Sequence, residues 1–240
     1  MDDDIKLLGI FKERNFGLTG IISVLILTLI IGLLAFKTRN DQWNVWKLNK
    51  DITFYNNSPL LSTADGPYFL GQAKYLNENK SISMQLEKRF FPEYDQEQSN
   101  KKIKNEISMF DISLLPISIN YFSIFYDNDL LLTSNKLIPI TALITAIFIA
   151  VFFIILGFGY EGVIAGLGAS LSQSIYVRTS VGRVDTDLLN VGLFYLILGL
   201  ILASIKVEDK RNKLALICLA GFFNLLFAWW YQHPGFLIPF

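Results

Sequence analysis

The stretch GLTGIISVLILTLIIGLLAF, residues 17–36, decides the class of this protein. It contains no charged side chain, and about 20 apolar residues in a helix are enough to cross the hydrocarbon core of a bilayer. A cleaved secretory signal has a shorter apolar core and a small-residue cleavage site, whereas KTRNDQW follows here. We therefore predict a retained transmembrane helix, the first span.

The composition of the whole chain agrees with a membrane protein. Of its 240 residues, 52% are hydrophobic, and 20 are phenylalanine, which is unusual for a soluble domain. Basic and acidic residues number 21 each, so the formal net charge is zero. A chain without a basic excess lacks the field that attracts nucleic acid, and we exclude nucleic acid as a partner. The single histidine, His233, excludes a multi-histidine metal cluster.

Further apolar segments predict an all-α fold, a polytopic bundle of transmembrane helices with a large external loop. The predicted spans after the first are the second at 138–158, the third at 162–177, the fourth at 188–205, the fifth at 214–231, and a sixth that begins at 232–240 and is cut off by the chain end. The third is short and rich in glycine, alanine and serine, which let helix backbones approach closely. We therefore expect it to lie inside the bundle.

The charges between the spans predict their orientation. The loop 206–213, KVEDKRNK, is the densest basic short loop, and such loops stay in the cytoplasm. The amino terminus, 1–16, is then also cytoplasmic. The large loop 37–137 and the short loop 178–187 both emerge on the external face, where their residues can meet.

The large external loop contains one apolar segment and one strongly polar segment. The apolar one, DISLLPISINYFSIFYDND at 111–129, is short and contains Pro116. We interpret it as a helix that lies on the membrane surface. The Lys-, Glu- and Gln-rich segment 87–106 is predicted to be a mobile surface segment.

Two acids of the short external loop stand directly before the fourth span. In RTSVGRVDTDLLN, residues 178–190, these are Asp185 and Asp187. In one interpretation Asp185 or Thr186 caps the span, and the remaining acid lies favourably at the positive end of the helix dipole. In the other, two carboxylates converge on a divalent cation such as Mn²⁺ or Mg²⁺, which prefers oxygen ligands and removes their repulsion.

The same choice applies to the acid of ADGPYF, residues 64–69. Asp65 is either the cap of a helix with Pro67 in its first turn, or a metal ligand or general base at the membrane surface. Arg178 and Arg183 are either interfacial anchors or partners of the acids or of a phosphate. A cation held here would neutralise a phosphate or pyrophosphate leaving group on a lipid-borne substrate.

These motifs together suggest a family. A first span, ADGPYF in an early external loop, and a helical hairpin that ends in RTSVGRVDTDLLN resemble the catalytic subunit of N-oligosaccharyltransferase, and WWY at 229–231 looks like the corresponding helix in bacterial members. The resemblance implies the amino-terminal part of a multispanning GT-C glycosyltransferase. It implies transfer of a glycan from a lipid-pyrophosphate carrier to asparagine in N-x-Ser/Thr acceptor polypeptides. The expected location is a bacterial inner membrane, with the active face external or periplasmic.

The resemblance also assigns roles to single residues. It implies that Asp65, Asp185 and Asp187 form the site of a Mn²⁺ or Mg²⁺ ion, with Asp187 as the partner of the ligand Asp185. It implies that Asp65 and Arg178 are catalytic, Asp65 by engaging the acceptor amide and Arg178 by supporting the acidic cluster and binding substrate. Nothing is carried over to Arg183.

The sequence also departs from the family pattern. Family members continue through more spans, supply a further acid from a later external loop, and end in a soluble domain with a WWD-type motif, which the pair at Trp229 and Trp230 does not match. We therefore expect an amino-terminal piece that does not catalyse transfer alone unless a second chain completes it.

Two alternatives to this function stay open. One is another membrane glycosyltransferase that uses a polyprenyl-phosphate sugar, and the other is a non-catalytic transport or structural protein in which the acids are caps and anchors. A transporter places polar groups or broken helices near mid-membrane, whereas the charges here gather at one predicted surface. That difference favours chemistry at the interface.

Overall fold

The computed structural model describes residues 18–56, 58–63, 65–78 and 112–231. The predictions for the amino terminus at 1–16, the polar segment 87–106 and the chain end at 232–240, including His233, lie outside the described residues. The described chain forms two structural units, and each is treated by itself below.

Most of the described residues are helical, as predicted. The elements in chain order are α1 (Leu18–Leu48), α2 (Lys50–Thr53), β1 (Phe54–Tyr55), β2 (Ser58–Pro59), α3 (Gly66–Asn77), α4 (Leu114–Ser123), a 3-10 turn (Ile124–Tyr126), α5 (Leu130–Ile155), α6 (Gly159–Leu171), α7 (Gln173–Arg178), α8 (Asp187–Lys206) and α9 (Lys210–Trp230).

Four of the described helices, α1, α5, α8 and α9, are long and apolar enough to cross a membrane. They coincide with the predicted first, second, fourth and fifth spans. Large aliphatic side chains on α1 and α9 face outward, with Leu25 59% and Leu225 71% exposed. Apolar surface of this kind is stable when lipid covers it.

Two helices extend into the predicted external loop. The polar sequence after Phe36 continues α1 to Leu48, and α5 begins at Leu130, ahead of the predicted span at 138. With 31 residues, α1 is about 46 Å long at 1.5 Å per residue. It is therefore longer than the bilayer core is thick, which is about 30 Å. The two ends of the predicted loop 37–137 are therefore helical.

The first unit consists of the described parts of residues 1–42, 139–180 and 187–227. Its buried apolar residues come from α1, α5, α6, α8 and α9, and α6 lies especially close to α5. A Cβ atom added at Gly162 would lie 2.8 Å from the carbonyl oxygen of Ala150, and one at Gly166 would lie 2.8 Å from that of Ala146. The small residues of the predicted third span thus permit close backbone contact within the unit.

The predicted third span, 162–177, is not one continuous helix. α6 ends at Leu171 and α7 begins at Gln173, because Ser172 adopts an extended backbone with φ −58° and ψ 137°. The hydroxyl of Ser172 donates to the Ala169 carbonyl at 2.8 Å, and its N–H donates to the Gly168 carbonyl at 2.9 Å. These bonds satisfy the last carbonyls of α6 and end the helix after 13 residues.

The second unit consists of the described parts of residues 43–138, 181–186 and 228–240. The hairpin pairs Phe54 with Pro59 and Tyr55 with Ser58, antiparallel. α4 packs against α3, and its buried residues include Leu115.

The apolar segment predicted to lie on the membrane surface does form a helix. It comprises α4 and the 3-10 turn that follows, and Pro116 falls in the first turn of α4, where a missing N–H is tolerated. Its outer side exposes aromatic residues, with Tyr121 64% and Phe125 72% exposed. Contact of this surface with the membrane stays a prediction.

Candidate functional site

Arg178 and Asp187 form an ion pair in the first unit. α7 ends at Arg178 and α8 begins at Asp187, and the guanidinium Nη1 donates to the carboxylate Oδ2 of Asp187. The pair is partly accessible, since the Arg178 side chain is 58% and the Asp187 side chain 21% exposed. As the first residue of α8, Asp187 lies at the positive end of the helix dipole. Asp187 therefore agrees with the capping interpretation, in which the acid that does not cap the fourth span lies at the positive end of the helix dipole.

A buried arginine fixes the chain next to this pair. Arg39 of α1 is 0% exposed, and its Nε and Nη2 donate to the Thr179 hydroxyl at 3.2 and 2.7 Å. Nη2 also donates to the Ser170 carbonyl at 2.9 Å, and the guanidinium carbon lies 4.4 Å from the Tyr176 ring centroid. Arg39 therefore joins α1 to the end of α6 and to the residue that follows Arg178.

Burial of the Arg39 guanidinium removes its hydration, and its hydrogen bonds to protein groups compensate for that loss. The Thr179 hydroxyl donates to the Ile175 carbonyl at 2.8 Å, so its lone pairs remain free to accept from the guanidinium. Nη1 donates to the Thr38 hydroxyl at 2.9 Å. Arg39 was not predicted from the sequence, where the only signal was a charged residue three positions beyond a 20-residue apolar run.

Gly182 organises the short loop in the second unit. Its N–H donates to the Asn135 Oδ1 at 2.7 Å, and its carbonyl accepts from the Ser62 N–H at 2.9 Å. Its φ of +83° is unfavourable for residues with a Cβ, and an added Cβ would lie 2.4 Å from Cη2 of Trp46. The backbone at this position therefore requires glycine.

Asp185 lies in the same loop and is 9% exposed. The Thr186 hydroxyl donates to its Oδ1 at 3.4 Å, and Arg183 Nη2 lies 3.8 Å from its Oδ2. The second distance is that of an ion pair and is too long for a hydrogen bond. Of the two interpretations of Arg183, the structure favours pairing with an acid.

The two tryptophans at the end of α9 donate hydrogen bonds to backbone carbonyls of the second unit. Nε1 of Trp230, whose residue is 4% exposed, donates to the Thr186 carbonyl at 2.6 Å. Nε1 of Trp229 donates to the Ile112 carbonyl at 2.9 Å. Both residues were predicted to lie in an apolar helix, which is confirmed. The contact of Trp230 with the residue next to Asp185 was not predicted.

Asp65 does not cap the helix that it precedes. α3 begins at Gly66, and the Asp65 carboxylate makes no cap hydrogen bond. The Gly66 N–H donates instead to the Thr63 hydroxyl at 3.2 Å. The capping interpretation of Asp65 is therefore wrong, and its exposed carboxylate is available for other contacts.

The structure links the chain segments that contain Asp65 and Asp185. The Ser62–Gly182 backbone hydrogen bond lies three residues before each of the two acids. Among the described residues, no group of three or more His, Cys, Asp or Glu side chains could hold a metal ion. A cation bound by two of these carboxylates would need water or a substrate phosphate as further ligands, which is common for Mg²⁺.

No protein-family model matches the sequence, and no curated protein matches it.

Proposed function

We propose that this chain is a multi-pass membrane protein and forms the amino-terminal part of an oligosaccharyltransferase of the GT-C type. It would transfer a glycan from a lipid pyrophosphate to asparagine in N-x-Ser/Thr acceptors. The observation that carries the proposal is the Ser62–Gly182 hydrogen bond, because it joins, within the second unit, the chain segments that contain Asp65 and Asp185. The four apolar helices support the membrane location.

We place the active face on the external or periplasmic side of a bacterial inner membrane. The support is the basic loop KVEDKRNK at 206–213, which lies between α8 and α9. Short basic loops remain cytoplasmic, so the opposite ends of these helices face outward. Asp187 is at such an end.

Asp65 and Asp185 are the proposed ligands of a Mn²⁺ or Mg²⁺ ion. Their carboxylate oxygens are the donors that such hard cations prefer, and the exposed Asp65 is not used as a helix cap. Asp185 belongs to a loop that is anchored at Gly182 on one side and at Thr186 on the other. When bound, the cation would stabilise the negative charge that develops on the pyrophosphate leaving group.

The reaction needs a leaving group, a nucleophile and a proton acceptor. The asparagine amide nitrogen forms a bond to C1 of the first sugar, and the bond between C1 and the pyrophosphate oxygen breaks, with the electron pair leaving on the pyrophosphate. The nitrogen then loses one proton, which the carboxylate of Asp65 would accept as the general base. Asp65 would accept the hydrogen bond of the amide N–H and orient its nitrogen, as the family resemblance implies.

Arg178 is the proposed contact to the pyrophosphate. Its guanidinium has five N–H donors, of which the pair with Asp187 occupies one in this structure. The exposed remainder can donate to phosphate oxygens. Asp187 would then act by orienting Arg178, which agrees with its place in the first turn of α8.

Binding of a lipid-pyrophosphate analogue tests this proposal. The purified chain in detergent is titrated with a short-chain polyprenyl-pyrophosphate sugar, with and without MnCl₂. We expect binding to depend on Mn²⁺. We expect Arg178→Met to weaken it by about tenfold or more, because charge-assisted hydrogen bonds contribute roughly 1.5–3 kcal/mol.

The control is Arg211→Met, which removes an exposed arginine at the start of α9. Binding that is independent of Mn²⁺, or equal losses in the two arginine variants, would contradict the proposed site.

An acceptor peptide separates this function from that of another polyprenyl-phosphate-sugar glycosyltransferase. If Asp65 accepts a hydrogen bond from the acceptor amide, a peptide with N-x-Thr raises the affinity for the analogue. A matched peptide with glutamine in place of asparagine does not, because its longer side chain moves the amide. Equal effects of the two peptides would favour the other glycosyltransferase.

A further inference from the structure

Two lysines from distant parts of the sequence share one buried tryptophan. The Nζ atom of Lys47, near the end of α1, lies 5.6 Å from the Trp43 ring centroid, and that of Lys136, in α5, lies 5.2 Å from the same centroid. Both distances are in the range of cation–π contacts. Trp43 is 3% exposed, so the ring has a fixed place in the second unit.

This cluster of Lys47, Lys136 and Trp43 has two positive charges that form no ion pair with a described carboxylate. Among the described residues, no carboxylate forms an ion pair with either lysine, whereas Lys37 pairs with Asp41 and Lys74 with Glu78. Two ammonium groups beside one ring repel each other. The ring attracts both, but a bound anion would stabilise the arrangement further.

The Trp43 indole adds an unused hydrogen-bond donor. Its Nε1 is buried and has no hydrogen-bond partner within the described part of the chain. A buried donor that lacks an acceptor is destabilising. An anionic oxygen is an acceptor that would suit both this N–H and the two ammonium groups.

The cluster also lies at the polar ends of two membrane-type helices. The charge-free run of α1 ends at Phe36, and Trp43 follows seven residues later, about 10 Å along the helix. Lys136 directly precedes the charge-free run of residues 137–158. Tryptophan and lysine at such positions lie at the level of the lipid headgroups.

We propose that Lys47, Lys136 and Trp43 form a binding site for the phosphate of an anionic phospholipid headgroup. Basic pockets between transmembrane helices bind headgroups of this kind. The site uses none of the acids or arginines of the glycosyltransferase proposal and does not depend on it.

Lipid binding by the full chain tests the site. The purified protein is titrated with short-chain phosphatidylglycerol or phosphatidylcholine, and bound lipid is counted by native mass spectrometry. Wild-type protein should prefer phosphatidylglycerol. The double variant Lys47→Gln with Lys136→Gln should bind phosphatidylglycerol about 30-fold more weakly, because each lysine near a lipid surface contributes roughly 1 kcal/mol.

The matched control is the double variant Lys37→Gln with Lys74→Gln, which has the same charge change but loses lysines that already pair with carboxylates. It should bind phosphatidylglycerol like the wild type. Equal losses in both double variants, or no preference for phosphatidylglycerol in the wild type, would overturn the proposal. Inorganic phosphate should not displace the lipid at millimolar concentration, and displacement would instead indicate a site for free phosphate.

Discussion

Replacement of Gly182 by alanine tests how the loop around Asp185 is built. Gly182 has φ +83°, and a left-handed backbone destabilises a residue with a Cβ by roughly 1–2 kcal/mol. The new methyl group would lie 2.4 Å from Cη2 of Trp46 and 3.0 Å from the Leu60 carbonyl oxygen. The first distance is shorter than real Cβ contacts and the second is tight, so the indole or the loop must shift.

A second variant separates the backbone contribution to this loss of stability from the packing contribution. Overpacking of this kind destabilises by about 1–3 kcal/mol, so Gly182→Ala should lower the free energy of unfolding by about 2–5 kcal/mol in total. Gly157 has a similar φ of +99°, but within the described residues no neighbouring atom lies within 4 Å of a Cβ added there. Gly157→Ala therefore measures the backbone contribution alone, about 1–2 kcal/mol.

Thermal unfolding of both variants in the same detergent provides the assay. For a chain of this size 1 kcal/mol corresponds to about 2–4 °C in Tm. We expect the Tm of Gly182→Ala to lie about 2–12 °C below that of Gly157→Ala. Equal Tm values for the two variants would refute the packing of Gly182 against Trp46.

Two further substitutions probe the contacts that hold the loops. Arg39→Lys keeps the charge, but an ammonium cannot reach the Thr179 hydroxyl and the other acceptors of the guanidinium together. We expect the free energy of unfolding to fall by about 2 kcal/mol, measured by thermal unfolding. An unchanged Tm would show that these bonds do not stabilise the unit. Trp230→Phe removes the N–H that donates to the Thr186 carbonyl, and we expect about 1 kcal/mol of destabilisation and several-fold weaker Mn²⁺ binding by titration. The control Trp229→Phe should leave Mn²⁺ binding unchanged. Equal Mn²⁺ affinities of the two variants would contradict the role of Trp230.

The spans were predictable because long charge-free runs leave few alternatives to a transmembrane-type helix. The helix ends were less predictable. The polar residues that continue α1 to Leu48 have no apolar periodicity of their own, and the break at Ser172 comes from local hydrogen bonds in a sequence that otherwise favours a helix.

The contacts of the site were harder to predict than its residues. In the sequence Arg178, Asp185 and Asp187 stand out as charges beside an apolar run, and Asp65 stands out as the acid of ADGPYF. The contact of Arg39 with Thr179 joins residues 140 positions apart, and no local pattern indicates it. Only the fold shows such pairs, and the same is true of Lys136 beside Trp43.

The central claim is that Asp65 and Asp185 bind one divalent cation, and Mn²⁺ binding followed by water-proton relaxation tests it most directly. Asp65→Asn and Asp185→Asn should each weaken Mn²⁺ binding by at least about tenfold, because a neutral amide replaces a charged ligand. The control is Asp129→Asn. Asp129 is exposed in the second unit, and its Oδ1 accepts from the Leu132 N–H, a bond that the asparagine oxygen can retain. The account predicts wild-type Mn²⁺ affinity in the control and loss in the other two variants. Wild-type affinity in both Asp65→Asn and Asp185→Asn would contradict it.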